Sequence, residues 1–191
     1  MKKNHWKEIW GTEDPKFITV SRPELLVDNS DGQYRQVIHV LMAISNNIEV
    51  MRLGFGSVIG ITGPQHEILM LIARVNKGEG ISVGEVAKLI RRSSAFVATE
   101  TGRLDRLGLV QKKASDPDKR RSVLQLTDHG WELLERLAPY QRQVNNLLFG
   151  DFEKKDFEEF VRLLRKLLPA SERAADMIKS AADDEGSFFT Y

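Results

Sequence analysis

The sequence predicts a mainly α-helical chain carrying one small β-hairpin, and three observations lead there. Apolar residues recur at alternating spacings of four and three, the stripe that a buried helix face requires. Ser82-Val83-Gly84-Glu85 has capping-box spacing and opens a short helix, which a tight turn at Arg91-Arg92-Ser93 joins to another. Two strand-like stretches, Leu109 to Lys113 and Ser122 to Leu126, flank a polar connection containing Pro117.

Residues 1–32 carry Gly11, Pro15, Pro23 and the polar run Asp28 to Gly32, which reads as an extension; Trp6, Trp10 and Phe17 suggest partial docking. Val37, Leu41, Ile44, Ile48, Met51 and Phe55 form one stripe of a long helix that Gly54, Gly56 and Gly60 are expected to end. Thr62-Gly63-Pro64 opens a second helix, with Thr62 as cap and Ile68, Leu69, Ile72 and Val75 inward. After a loop at 76–80, the Ser82 helix turns Val83, Val86, Ala87 and Ile90 inward. The next helix, capped by Ser93 or Ser94, buries Val97, Thr101, Leu104 and Leu107 and stops at Gly108. Beyond the hairpin, Thr127 caps a long helix through Trp131, Leu134, Leu137, Val144 and Leu148 that Gly150-Asp151 breaks. A stripe from Phe157 to Leu168 reaches Pro169, and Ala174, Ala175 and Ile178 continue a helix past it. A tail, 182–191, is acidic and then aromatic. Two helices joined by a tight turn and followed by a hairpin describe a winged helix-turn-helix.

The 191 residues favour one domain with appended ends, and 41% hydrophobic residues suffice for a core. Cysteine is absent, which removes disulfides and thiolate chemistry and fits a reducing cytoplasm. The basic N-terminus has no apolar run behind it, so a signal peptide is not expected, and neither is a membrane span. Formal net charge is only +1, but residues 88–121 hold ten Lys and Arg against four acids. That local excess of six leaves the rest of the chain at −5, the footprint of a nucleic-acid partner. Enzyme readings find no support: His5, His39, His66 and His129 are scattered, and Gly54-x-Gly56-x-x-x-Gly60 misses dinucleotide spacing and follows a helix. No cofactor and no metal site are expected.

On the helix from Ser94, the face opposite Val97, Thr101 and Leu104 presents Ser94, Ala95, Phe96, Thr99, Arg103 and Arg106. The N-terminal residues of such a helix reach base edges in a major groove. Ser94 and Thr99 can hydrogen-bond to base or phosphate, Ala95 or Phe96 can touch a thymine methyl, and Arg103 suits a phosphate or a guanine. Ser93 and Ser94 can equally be caps, and Phe96 core. Lys119, Arg120 and Arg121 lie at the hairpin tip, where an Arg can enter a narrow minor groove and Asp118 can orient Arg120. A solvated charged loop is the plain alternative. Lys88, Arg91, Arg92, Lys112 and Lys113 are phosphate candidates.

Residues 61–137 resemble the MarR family of winged-helix regulators. The resemblance lies in Ile61-Thr62-Gly63-Pro64-Gln65, in Val83 to Leu89, in Leu104-Asp105-Arg106-Leu107-Gly108-Leu109-Val110, and in Asp118-Lys119-Arg120-Arg121 before Leu126-Thr127-Asp128-His129-Gly130. Four fragments in this order make it specific. The resemblance implies an obligate homodimer. Helices within 33–60 and 128–181 would interlock with the partner, and a 61–127 lobe would face a palindromic operator in double-stranded DNA. The extension 1–32 and tail 182–191 exceed the family's usual length, and Ala98-Thr99 stands where members often carry Thr-Arg. Glu100 also sits in that helix, so the family's base preference does not carry over. Many members release DNA on binding a small phenolic or aromatic anion. Here His39, Met42 and Asn46 on the first helix, with His66 and Arg74 on the second, could supply an apolar slot and an anchor. Taken singly, each of these reads first as an ordinary core or interface residue. The expectation is a ligand-responsive, DNA-binding repressor, or alternatively a helical module whose winged helix binds protein.

Overall fold

A computed structural model of the chain describes residues 17–75, 80–114 and 122–183. Its elements are α1 (Gly32–Val58), α2 (Gly63–Arg74), α3 (Val83–Ile90), α4 (Ser94–Arg106), β1 (Val110–Ala114), β2 (Ser122–Leu126), α5 (Asp128–Leu148) and α6 (Lys154–Asp183). The chain divides after Gln141 into two units.

In the first unit, local polar groups set most helix starts. Thr62 Oγ1 accepts the Gln65 N–H while Gln65 Oε1 accepts the Thr62 N–H, so two otherwise orphaned donors are satisfied at α2. Ser82 and Glu85 do the same at α3. Ser93, not Ser94, caps α4 by accepting the Phe96 N–H at 3.2 Å. Thr127 Oγ1 caps α5 from the Gly130 N–H and donates to the Gly108 carbonyl, tying the hairpin's exit to its start. Before α1, the buried Asp31 carboxylate accepts the Thr19 N–H and hydroxyl at 2.8 Å and pairs with Arg35. The Thr19 N–H holds its carboxyl below the usual range, aided by the Thr19 hydroxyl and Arg35.

Side chains from α2, α3, α4 and the hairpin close one core in which Ile68, Leu69, Val86, Val97, Leu104 and Leu124 are essentially fully buried. Each such burial stabilises by roughly 1.5–3 kcal/mol. The hairpin pairs Val110 with Leu126 and Lys112 with Leu124, turning Leu124 and Leu126 to the core. Gly130 lies inside α5 where a Cβ would meet the Leu109 carbonyl oxygen at 2.2 Å, so only glycine permits α5 to approach β1 this closely. In the second unit, Phe149, Phe152, Phe157 and Phe160 gather around the turn from α5 into α6, with ring centroids 5.2–6.2 Å apart.

Several details depart from the sequence reading. α1 runs through Gly54 and Gly56 to Val58, and Gly60, with φ +75°, follows its cap. A Cβ on Gly56 would stand 2.7 Å from the Thr62 backbone, so Gly56 allows a close helix–chain crossing instead of stopping the helix. α6 is a single helix through Pro169 and α5 passes Pro139. A proline removes one donor, a loss that long flanking helices absorb. Ile81 exchanges two backbone hydrogen bonds with Leu124, a bridge that β-periodicity cannot reveal in one residue. Leu107, expected inside, is half exposed, and Phe17 is 64% exposed within this chain. Trp6, Trp10 and residues 184–191 lie outside the described residues.

The long apolar stripe of α1 is buried only at its end. Phe55 is 6% exposed, but Val37 is 53% and Ile48 46% exposed, and α6 likewise leaves Phe157, Leu164, Leu167 and Leu168 open.

Candidate nucleic-acid interface

The turn between α3 and α4 is built to be short. Arg91 takes the left-handed conformation (φ +55°), and the Arg92 N–H closes back on the Ala87 carbonyl at 3.0 Å. Ser93 then restarts the helix through its side chain. Val97, Thr101 and Leu104 anchor α4 in the core, so its opposite face is outward. Ser94, Ala95, Thr99, Arg103 and Arg106 are all exposed there, as are Arg92 and Ser93 in the turn. The Thr99 hydroxyl donates to the Ala95 carbonyl at 3.0 Å and keeps its acceptor capacity. Phe96 is half-buried at the edge of the core, with the Arg92 guanidinium 5.9 Å from its ring centroid. That contact orients Arg92 beside the first turn of α4. Lys112 and Lys113 are exposed on β1 and Lys88 on α3. Lys119, Arg120 and Arg121 lie outside the described residues.

One buried polar contact, between Gln65 and Glu100, was not anticipated from sequence. Glu100 is buried, accepts from the buried Gln65 side chain at 2.8 Å, and pairs with Arg103 at 2.6 Å. The spacing Val97, Glu100, Leu104 places Glu100 on the inner face, so the helical period carries the signal.

The five effector candidates fall into different environments. His39, Met42, Asn46 and Arg74 are exposed, whereas His66 is buried with its ring 5.5 Å from that of Phe55. Neither His66 ring nitrogen has a hydrogen-bond partner. Burial pushes its pKa down to about 4, helped by the Arg52 and Arg74 charges. An apolar cleft of about 520 Å³ opens elsewhere, lined by Met70, Val75, Leu126, Trp131, Leu134 and Gln141 among others, and includes none of the five. No group of metal-ligating side chains occurs among the described residues. No helix among them is long and apolar enough to cross a membrane.

A short helix, a tight turn, a second helix with an open polar and cationic face, and a hairpin define a winged helix-turn-helix. Residues 59–121 match the model of the MarR family. The HTH-type transcriptional repressor NicR of Pseudomonas putida is 32% identical over 91 residues, 46% of this chain. The chain spans 58% of that relative's length. The repressor YetL of Bacillus subtilis is 26% identical over 156 residues, 80% of this chain and 91% of its own. The crystal structure of Staphylococcus aureus MepR in complex with DNA shares the fold, with a TM-score of 0.61, 18% identity, and coverage of 78% of this chain and 99% of that one.

Proposed function

We propose that this chain is a cytoplasmic transcription repressor that binds a palindromic operator as a homodimer and responds to a small aromatic anion. The observation that carries the reading is the outward face of α4, where Ser94, Ala95, Thr99 and Arg103 stand exposed on a helix whose other side is locked in the core. Ser94, Ala95 and Thr99 contact bases, Ser93 and Arg92 contact phosphates, and Phe96 supports the first turn. Arg120, Arg121 and Lys119 enter or flank the minor groove. The repressor names of NicR and YetL support the sign of regulation.

Homodimerisation is supported by the apolar residues left open on α1 and α6, a larger exposed set than a monomer ordinarily carries. For the effector, the supporting feature is chemical: Arg74 and His39 offer cationic or donor groups, Met42 an apolar surface, and Asn46 an amide. His66, buried against Phe55, could act only from behind these groups.

The test is selection of bound duplexes from a random pool by the full chain, followed by a salt titration of the selected site. With about six to eight phosphate contacts per dimer, log K should fall against log salt with a slope of roughly −5 to −7. No affinity for any duplex at low ionic strength would overturn the reading and favour a protein-binding winged helix. Arg120→Ala should weaken binding while leaving melting unchanged.

A further inference from the structure

We propose that Glu100 is a positioning residue that holds Arg103 as a base-reading donor, making this buried pair a determinant of DNA sequence preference. The inference rests on the DNA-binding reading above.

A carboxylate buried to 5% exposure is costly unless both oxygens are engaged. Here both are. Oε2 accepts from Gln65 Nε2 at 2.8 Å, and Oε1 accepts from the Arg103 guanidinium at 2.6 Å. The Gln65 amide cannot simply turn, because its Oε1 already accepts the Thr62 N–H at 3.0 Å. The start of α2 therefore fixes Gln65, Gln65 fixes Glu100, and Glu100 fixes Arg103. The start of α2 is itself held by close crossings at Gly56 and Gly63, where a Cβ would meet Thr62 and Leu53 at 2.7 and 2.8 Å.

Arg103 is the exposed end of this chain of bonds. Pairing with Glu100 largely cancels its charge, so it offers little non-specific pull on phosphates. What remains is a planar donor set tethered by one N–H to a fixed carboxylate, with less side-chain entropy left to lose. Such a group suits the paired acceptors on a guanine edge better than a diffuse phosphate contact. Glu100 thus trades non-specific attraction for discrimination.

The experiment compares wild type, Glu100→Gln, Arg103→Gln and the double variant as full-length proteins. Each is titrated against the duplex recovered by selection and a scrambled duplex of equal length, at several salt concentrations. Glu100→Gln keeps a neutral hydrogen bond to Gln65 possible while freeing the guanidinium. Its selected-to-scrambled ratio should fall by at least about fivefold, the effect of losing one good base contact. Its scrambled-duplex affinity should hold or rise, with a salt slope steeper by roughly one to two per dimer. A mere loss of structure would instead lower both affinities. Arg103→Gln should lose a similar ratio, and the double variant little more. A ratio within about twofold of wild type for either single variant, on a scale where one contact is worth about fivefold or more, would overturn the proposal. If Glu100→Gln fails to fold, the exposed Arg103→Gln carries the same decision. Wild type binding no duplex would overturn the DNA-binding reading itself, and is told apart because it appears without any substitution.

Discussion

His66 makes stability depend on pH in a window that few other side chains control. Its imidazole is buried against Phe55, with neither nitrogen hydrogen-bonded, and burial together with Arg52 and Arg74 pushes its pKa down to about 4. The ordinary value is 6.5, so as pH falls the unfolded chain takes up the proton first. Stability is therefore full above about pH 7 and declines as pH drops through 6.5 toward 4. Linkage between these two pKa values gives a loss of about 2 kcal/mol between pH 7 and pH 5. His66→Leu removes the titration and an unsatisfied buried polar group, so it should match or exceed wild-type stability at neutral pH. Urea unfolding followed by circular dichroism, at fixed protein concentration and at about pH 7, 6 and 5, measures both proteins. The difference between the two curves should grow by about 2 kcal/mol in favour of the variant as pH falls. Parallel curves would refute the account, because they would mean that His66 is as easily protonated folded as unfolded.

Gly130→Ala should destabilise by about 2–3 kcal/mol in the same assay despite the better helix propensity of Ala, since a backbone oxygen stands where the methyl must go. Thr127→Ala should cost about 1–2 kcal/mol by removing a cap and the bond to Gly108, read as a lowered melting temperature. Changing Leu41 and Ile48 together to Lys should yield a helical monomer that no longer binds the selected duplex, read by sedimentation, circular dichroism and mobility shift. A folded monomer that still protects a full palindrome would contradict the dimer scheme.

The helix starts at Thr62, Ser82 and Thr127 were legible because capping is local: two residues three apart satisfy each other's backbone whatever surrounds them. The exposed face of α4 was legible for a related reason, since three inward residues fix the side that remains. For Phe96, where the sequence left outer face and core both open, the ring lies half-buried at the edge of the core. Leu107 failed because periodicity assigns the last residue of a helix to a face that the chain has already left. The five effector candidates were read from two helices, α1 and α2, and burial separates His66 from the other four.

By itself the sequence determined the order of elements, the caps, the basic segment and the resemblance, all of which depend on neighbours within about four positions along a helix or two along a strand. Tertiary structure alone decided the use of Gly56 and Gly130, the Ile81 bridge, the neutral state of His66 near pH 7 and the link from Gln65 through Glu100 to Arg103. Each of these brings together groups six to forty-three positions apart or depends on exclusion of water from a side chain, and neither distance nor dielectric is written in a residue's immediate neighbours.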